Sequence, residues 1–132
     1  MIESATAVPT SAVSANIAAR HHTMVQDKPP ASGGTDRGPM ASELLLGGLL
    51  ACQLSTLVKV AAKRRMEVEV VELQGDMVFD DKSDIERVDL HFQLRTQAPA
   101  KKVETLLRLT DQACTISRAL SVPVQATFTI LA

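Results

Sequence analysis

The chain has 132 residues, with 14 basic and 15 acidic side chains and a formal net charge of −1. That is enough length for one domain with a real core, and the charge balance offers no field that draws nucleic acid or an anionic membrane. There is no Trp or Tyr and there are only three Phe, so no aromatic platform exists for stacking single-stranded nucleic acid.

In chain order, residues 1–10 read as a loose tail on a single domain spanning 1–132. Glu3 precedes any basic residue and Arg20 is the first arginine, unlike the basic start of a secretory signal or transit peptide. The longest apolar run is bracketed by Glu43 and Lys59 and is too short to span a bilayer uncharged. A cytoplasmic protein with no membrane or nucleic-acid partner is expected. The weakly β-tending stretches 12–18 and 21–27 read as two short strands. From Lys28 through Pro39 there are three prolines and three glycines, a loop that is either a linker or a packed segment leading into the next element.

Residues 40–64 form the predicted main helix. Pro39 stands at its start, and Lys63, Arg64 and Arg65 close it at the negative end of the helix dipole. From Leu44 to Leu50 it is apolar on every side, which predicts burial all round. Period-two patterning then begins at Glu67, with a bulge expected at Val70-Val71 and an interruption at Gly75-Asp76. Asp80 to Asp84 is a polar turn without cation-loop spacing. Val88, Leu90, Phe92 and Leu94 alternate with polar residues as a half-exposed antiparallel strand. A second helix starts at Pro99 and carries Val103, Leu106, Leu107, Thr110, Cys114 and Ser117 on its inner stripe; a last strand covers 122–131. The order ββ-loop-α-ββ-α-β gives an α+β fold, an antiparallel sheet with a central buried helix and a second helix.

Chemistry centres on Cys52 and Cys114. The three histidines, His21, His22 and His91, are scattered without ligand spacing, so neither a metal nor a cofactor is expected. His21 and His22, adjacent on a strand, are expected on opposite faces. A cysteine within an apolar helix is by default a small hydrophobe. The pair says more, because both predicted helices must pack on the same sheet and can bring the two sulfurs together. A thiolate that attacks a peroxide O–O bond becomes a sulfenic acid, which a second thiol converts to a disulfide. The attacking sulfur needs a lowered pKa, supplied by an arginine, a lysine or a helix N-terminus; Arg20, Arg37 and Arg118 are the arginines considered.

The run Asp27-Lys28-Pro29-Pro30, then Gly33-Gly34-Thr35-Asp36-Arg37-Gly38-Pro39, Glu43-Leu44-Leu45-Leu46 and Ala51-Cys52, resembles the OsmC/Ohr family of osmotically inducible and organic-hydroperoxide-resistance proteins. Ala113-Cys114-Thr115-Ile116-Ser117-Arg118 resembles its second-cysteine segment. The resemblance implies an OsmC-like fold, an intertwined homodimer with two active sites at the interface, and a thiol-dependent peroxidase acting on organic hydroperoxides. By the match, Cys52 is the peroxidatic and Cys114 the resolving cysteine. The family's catalytic arginine falls by position on Arg20, with Arg37 second. Its acidic partner of that arginine lies ten residues before the cysteine, where this chain has Ser42. Glu43, nine before, stands about 900° away around a straight helix, so it serves either the arginine or only the helix dipole. Thr115 also replaces the family's usual proline.

An aliphatic pocket near Leu45, Leu49 and Met66 would favour alkyl peroxides, and the electron donor would be a dithiol. The rival reading is a non-catalytic OsmC-like dimer that binds a small apolar ligand or senses redox state.

Overall fold

A computed structural model describes all residues from Met1 to Ala132. The chain divides into two compact units, Met1–Leu45 and Leu46–Ala132.

The first unit holds an antiparallel sheet of three strands in the order β1 (Thr6–Pro9), β2 (Ala15–Ala19) and β3 (His22–Gln26). The expected loose tail is therefore corrected in part. Thr6 to Pro9 pair in register with Ala18 to Ala15, and every β1 residue is exposed, so no apolar alternation betrayed the strand. Arg20 takes a positive φ of 55° at the β2–β3 turn.

The loop that follows β3 is packed, not a linker. Its organiser is Asp27, 1 % exposed. One carboxylate oxygen accepts the Lys28 N–H at 2.7 Å and the Thr35 N–H at 3.4 Å. The other accepts the Thr35 hydroxyl at 2.8 Å, the Arg37 N–H at 3.2 Å and Arg37 Nε at 3.4 Å. The Lys28 N–H holds this carboxyl well below the usual range against the upward push of burial, with Thr35 and Arg37 adding to the effect. The lowering makes the carboxylate's contribution to stability present above the ordinary carboxylate pKa and lost only in stronger acid.

Gly34 lets the loop close. A Cβ there would stand 1.9 Å from the Lys28 carbonyl oxygen and 2.6 Å from Asp27 Oδ1, and that same carbonyl accepts the Asp36 N–H at 2.9 Å. Gly34→Ala is expected to open the loop and raise tryptic cleavage after Arg37 about tenfold or more. Gly47→Ala, whose Cβ meets nothing within 4 Å, serves as the unaffected control.

Helix α1 (Ala41–Lys63) starts and ends within one residue of the sequence expectation. Glu43 lies in its first turn and accepts the Met40 N–H at 2.9 Å, the back-reaching half of a capping box. Glu43 and Lys59 sit inside the helix and do not bound it. By length and composition α1 is therefore apolar enough to cross a membrane, with a mean hydropathy of 1.7, contrary to the sequence expectation. Its inner stripe, Leu49, Gln53, Leu57 and Ala61, is committed to the protein core.

Burial all round from Leu44 to Leu50 is also corrected. Only Leu49 is fully buried there; Leu45 is 43 % exposed, and Gly47 and Gly48 are open. A helix laid on one sheet has one face covered by it, and here that face carries Leu49, Gln53, Leu57 and Ala61.

The second unit carries a sheet in the order β4 (Val68–Phe79), β5 (Ile85–Thr96) and β6 (Val124–Ile130). β4 and β5 form an antiparallel hairpin with a register shift between Val70 and Glu72, the bulge expected at Val71. Gly75 does not interrupt β4; it pairs with Leu90. A Cβ there would lie 2.8 Å from Leu50 Cδ2 and 2.9 Å from Leu46 Cδ1, so the missing side chain admits the α1 leucines onto the sheet.

The sheet is mixed and not wholly antiparallel, because β6 runs parallel to β5. The chain returns through α2 (Ala100–Ala113) and α3 (Thr115–Ala119), the crossover that a parallel pair requires. Val88, Leu90, Phe92 and Leu94 of β5 meet Val103, Leu106 and Leu107 of α2 and the α1 stripe in one hydrophobic core.

Candidate functional site

The predicted second helix is two helices, and Cys114 is the residue between them. Its extended backbone, φ −72° and ψ 115°, ends α2 and caps α3. The expectation that Cys114 lies within a helix is thus corrected. Its N–H still closes α2 by bonding the Thr110 carbonyl at 2.9 Å, while its own carbonyl accepts the Arg118 N–H at 3.0 Å and opens α3. Turning the backbone at this point frees the N–H groups of Thr115, Ile116 and Ser117.

Those groups and the two sulfurs form one cluster. Cys52 projects from the middle of α1 and is half-buried; Cys114 is fully buried; both are free thiols. Burial pushes the Cys52 thiol up. The Ile116 N–H, the Cys114 thiol, the Thr56 hydroxyl and the Thr115 N–H outweigh that push and bring it below its ordinary value. Thr56, one helical turn on, has its hydroxyl 3.9 Å from the sulfur.

Cys114 shifts the other way. Burial raises it, its hydrogen bond to Cys52 and the charge on Cys52 raise it further, and the N–H groups of Ser117 and Ile116 offset only part. The arrangement sets a thiol with a lowered pKa against one with a raised pKa. Chemically, it presents a nucleophile together with the thiol that can close a disulfide on it.

A second set of side chains braces this cluster. Gln53, next to Cys52 and 1 % exposed, donates from Nε2 to Asp111 Oδ1 at 3.1 Å. The same oxygen accepts the Ser117 hydroxyl in a short hydrogen bond. Asp111 lies just before the α2–α3 break and Ser117 just after it.

Of the other sequence candidates, Arg20, Arg37 and Glu43 belong to the first unit and Arg118 to the second. Arg20 is exposed at the β2–β3 turn. Arg37 is held by Asp27 and remains 56 % exposed. Glu43 is engaged at the start of α1, and Arg118 is exposed in α3. His21 and His22 do not point to opposite faces; their ring centroids are 4.0 Å apart, because the chain turns between them and β2. His91 lies on β5 between the hydroxyls of Thr127 at 2.7 Å and Thr129 at 2.9 Å.

Leu49 is fully buried in the core. Met66 lines a cleft of about 920 Å³ at the C-terminal end of α1, with Val58, Val68, Arg64, Arg65 and Lys102. Neither cysteine borders it.

Sequence reasoning missed Asp27, Gln53, Thr56 and Asp111. A signal existed only for Gln53, an amide in an otherwise apolar stretch beside the cysteine, where burial demands a partner.

No curated protein matches the sequence. Among solved structures, an OsmC-like protein from Mycoplasma pneumoniae is similar with a TM-score of 0.87 at 15 % identity, covering 100 % of this chain and 99 % of that one. An organic hydroperoxide resistance protein OsmC from Legionella pneumophila aligns with a TM-score of 0.73 at 14 % identity, covering 100 % and 98 %. The organic hydroperoxide resistance protein OhrB of Bacillus subtilis gives 0.69 at 19 % identity, covering 98 % of each. At these identities the likeness is one of fold. The family described as OsmC-like protein matches residues 34–129 of this sequence. The chain belongs to the OsmC-like family.

Proposed function

We propose that the protein is a thiol-dependent peroxidase that reduces organic hydroperoxides in oxidative-stress defence. The observation that carries this reading is the Cys52–Cys114 pair, with the Cys52 pKa lowered by backbone N–H groups and by the second thiol. The Cys52 thiolate attacks the distal oxygen of ROOH; the O–O bond breaks, the sulfur is oxidised to a sulfenic acid, and the alcohol ROH leaves after taking up a proton. The Cys114 thiolate, formed by loss of its proton, then attacks the sulfenic sulfur, making the disulfide and releasing water. A dithiol reduces that disulfide and returns both thiols. Relief of the Cys52 negative charge on oxidation removes one cause of the raised Cys114 pKa, so the resolving thiol becomes more acidic when it is needed.

In this reading an arginine faces the developing alkoxide charge. Arg37 is the better held of the two candidates, since Asp27 fixes both its N–H and its Nε. The working form is a homodimer. Leu45, Leu54 and Val58 are 43 %, 36 % and 65 % exposed. With Gly48 and Ala51 they recur every three or four residues along α1 and leave a bare apolar stripe for a second copy to cover.

The test is peroxide consumption with dithiothreitol as the reductant. Cumene hydroperoxide is expected to turn over at least about tenfold faster than hydrogen peroxide, because aliphatic contacts add transition-state binding for the alkyl group. Equal rates would contradict an organic-peroxide preference. No consumption of either would favour a ligand-binding or redox-sensing dimer.

A further inference from the structure

Gln53, Asp111 and Ser117 join α1, α2 and α3 through one carboxylate, beside the cysteine cluster. Gln53 follows Cys52 on α1, Asp111 precedes the Cys114 break by three residues, and Ser117 follows it by three. One oxygen, Asp111 Oδ1, accepts from both Gln53 and Ser117. Ser117 belongs to the same first turn of α3 as Thr115 and Ile116, whose N–H groups reach the Cys52 sulfur.

A buried amide such as Gln53 costs stability unless it is bonded, and an apolar residue would pack there at no such cost. A five-residue helix like α3 has little stability of its own, so its position depends on what ties it down. Without the tie, the backbone turn at Cys114 is free to relax toward a continuous helix or to swing away from α1.

From this geometry we propose that Asp111 is a positioning residue for both cysteines. By tying the neighbour of Cys52 to the first turn of α3, it keeps the Ile116 N–H and the Cys114 thiol on the Cys52 sulfur. It touches neither sulfur and acts through the segments it joins. Because the bonds need only an acceptor oxygen, the role rests on hydrogen bonding and not on charge. This deepens the peroxidase reading and rests on it for its consequence in turnover, but the positioning itself is measurable without peroxide.

The experiment compares wild type, Asp111→Ala, Asp111→Asn and Ser117→Ala. The rate of iodoacetamide alkylation at Cys52 is followed against pH and located by peptide mass mapping. Loss of the tie weakens the donors to the sulfur, so the thiol pKa should rise by about one unit, and alkylation at neutral pH should slow about tenfold in Asp111→Ala. Asp111→Asn retains an acceptor and should stay near wild type. Ser117→Ala should slow alkylation by a smaller factor, and it decides the question if Asp111→Ala does not fold. With peroxide added, Asp111→Ala should also accumulate the sulfenic acid, since Cys114 is no longer held in place.

A folded Asp111→Ala with the wild-type pH profile would overturn the proposal, as would Asp111→Asn matching Asp111→Ala. If wild type consumes no peroxide, the peroxidase reading fails, while the alkylation profiles still decide the positioning role.

Discussion

Cys52→Ser is expected to abolish peroxide reduction, lowering the rate to that of the reductant alone, because a serine hydroxyl at neutral pH is un-ionised and a poor nucleophile toward the O–O bond. Cys114→Ser should differ in kind. It should consume about one equivalent of peroxide and stop with Cys52 as sulfenic acid, since nothing inside the chain then closes the disulfide. The pH dependence of the wild-type reaction follows from the sign of the Cys52 shift. The thiolate is the reactive form, so the second-order rate should climb with pH through the Cys52 pKa. The midpoint of that climb should fall below the ordinary thiol value of 9.0, because the pKa is lowered. A midpoint at or above that value would mean that the donors from Thr115, Ile116 and Cys114 do not stabilise the thiolate. Stopped-flow peroxide consumption on the three proteins reads all of these outcomes.

Phe92→Ala should bring the largest loss of stability. Phe92 is 1 % exposed. It sits on β5, the central strand, paired with Leu73 of β4 and Phe128 of β6. Truncation removes a buried ring and leaves a cavity lined by helices and sheet that can collapse only in part, at a cost of about 3–5 kcal/mol. A domain of this size has roughly 5–15 kcal/mol in total, so the variant keeps only part of its stability. Urea unfolding followed by circular dichroism should show a midpoint shifted sharply down with an unchanged slope. A midpoint close to wild type would mean that β5 is not the centre of the core.

Much of this architecture was legible because burial writes a period into the sequence. Val88, Leu90, Phe92 and Leu94 alternate cleanly, and Pro39 with the Lys63-Arg64-Arg65 cluster marks both ends of α1. The parallel pairing of β6 was not legible from alternation, which is the same for either direction; the intervening helices carried that information instead. The break at Cys114 has no glycine or proline to announce it, and the inner stripe from Val103 to Thr110 continues past it in register. Asp111 and Ser117, which flank it, are joined by a side-chain hydrogen bond that depends on tertiary placement.

The site divides in the same way. Cys52 and Cys114 were readable as a pair and stand together in the structure. Asp27 was not singled out as a buried carboxylate, because its partners are mostly backbone N–H groups, which leave no mark on side-chain pattern. Glu43 was readable as either a helix-start acid or a site residue, and its bond to the Met40 N–H accounts for the first of these. The exposed stripe on α1 misled the burial expectation for a physical reason. Apolar residues on every side do not say which face the sheet takes, and here Leu49, Gln53, Leu57 and Ala61 take it.

The most direct measurement is the intact mass and free-thiol count of the wild-type protein after brief exposure to one equivalent of cumene hydroperoxide without reductant. Fast loss of both thiols, with a Cys52–Cys114 disulfide recovered in one linked peptide pair, is the predicted result. Two thiols unreacted after minutes, or a sulfenic acid on Cys52 that Cys114 never resolves, would contradict the account.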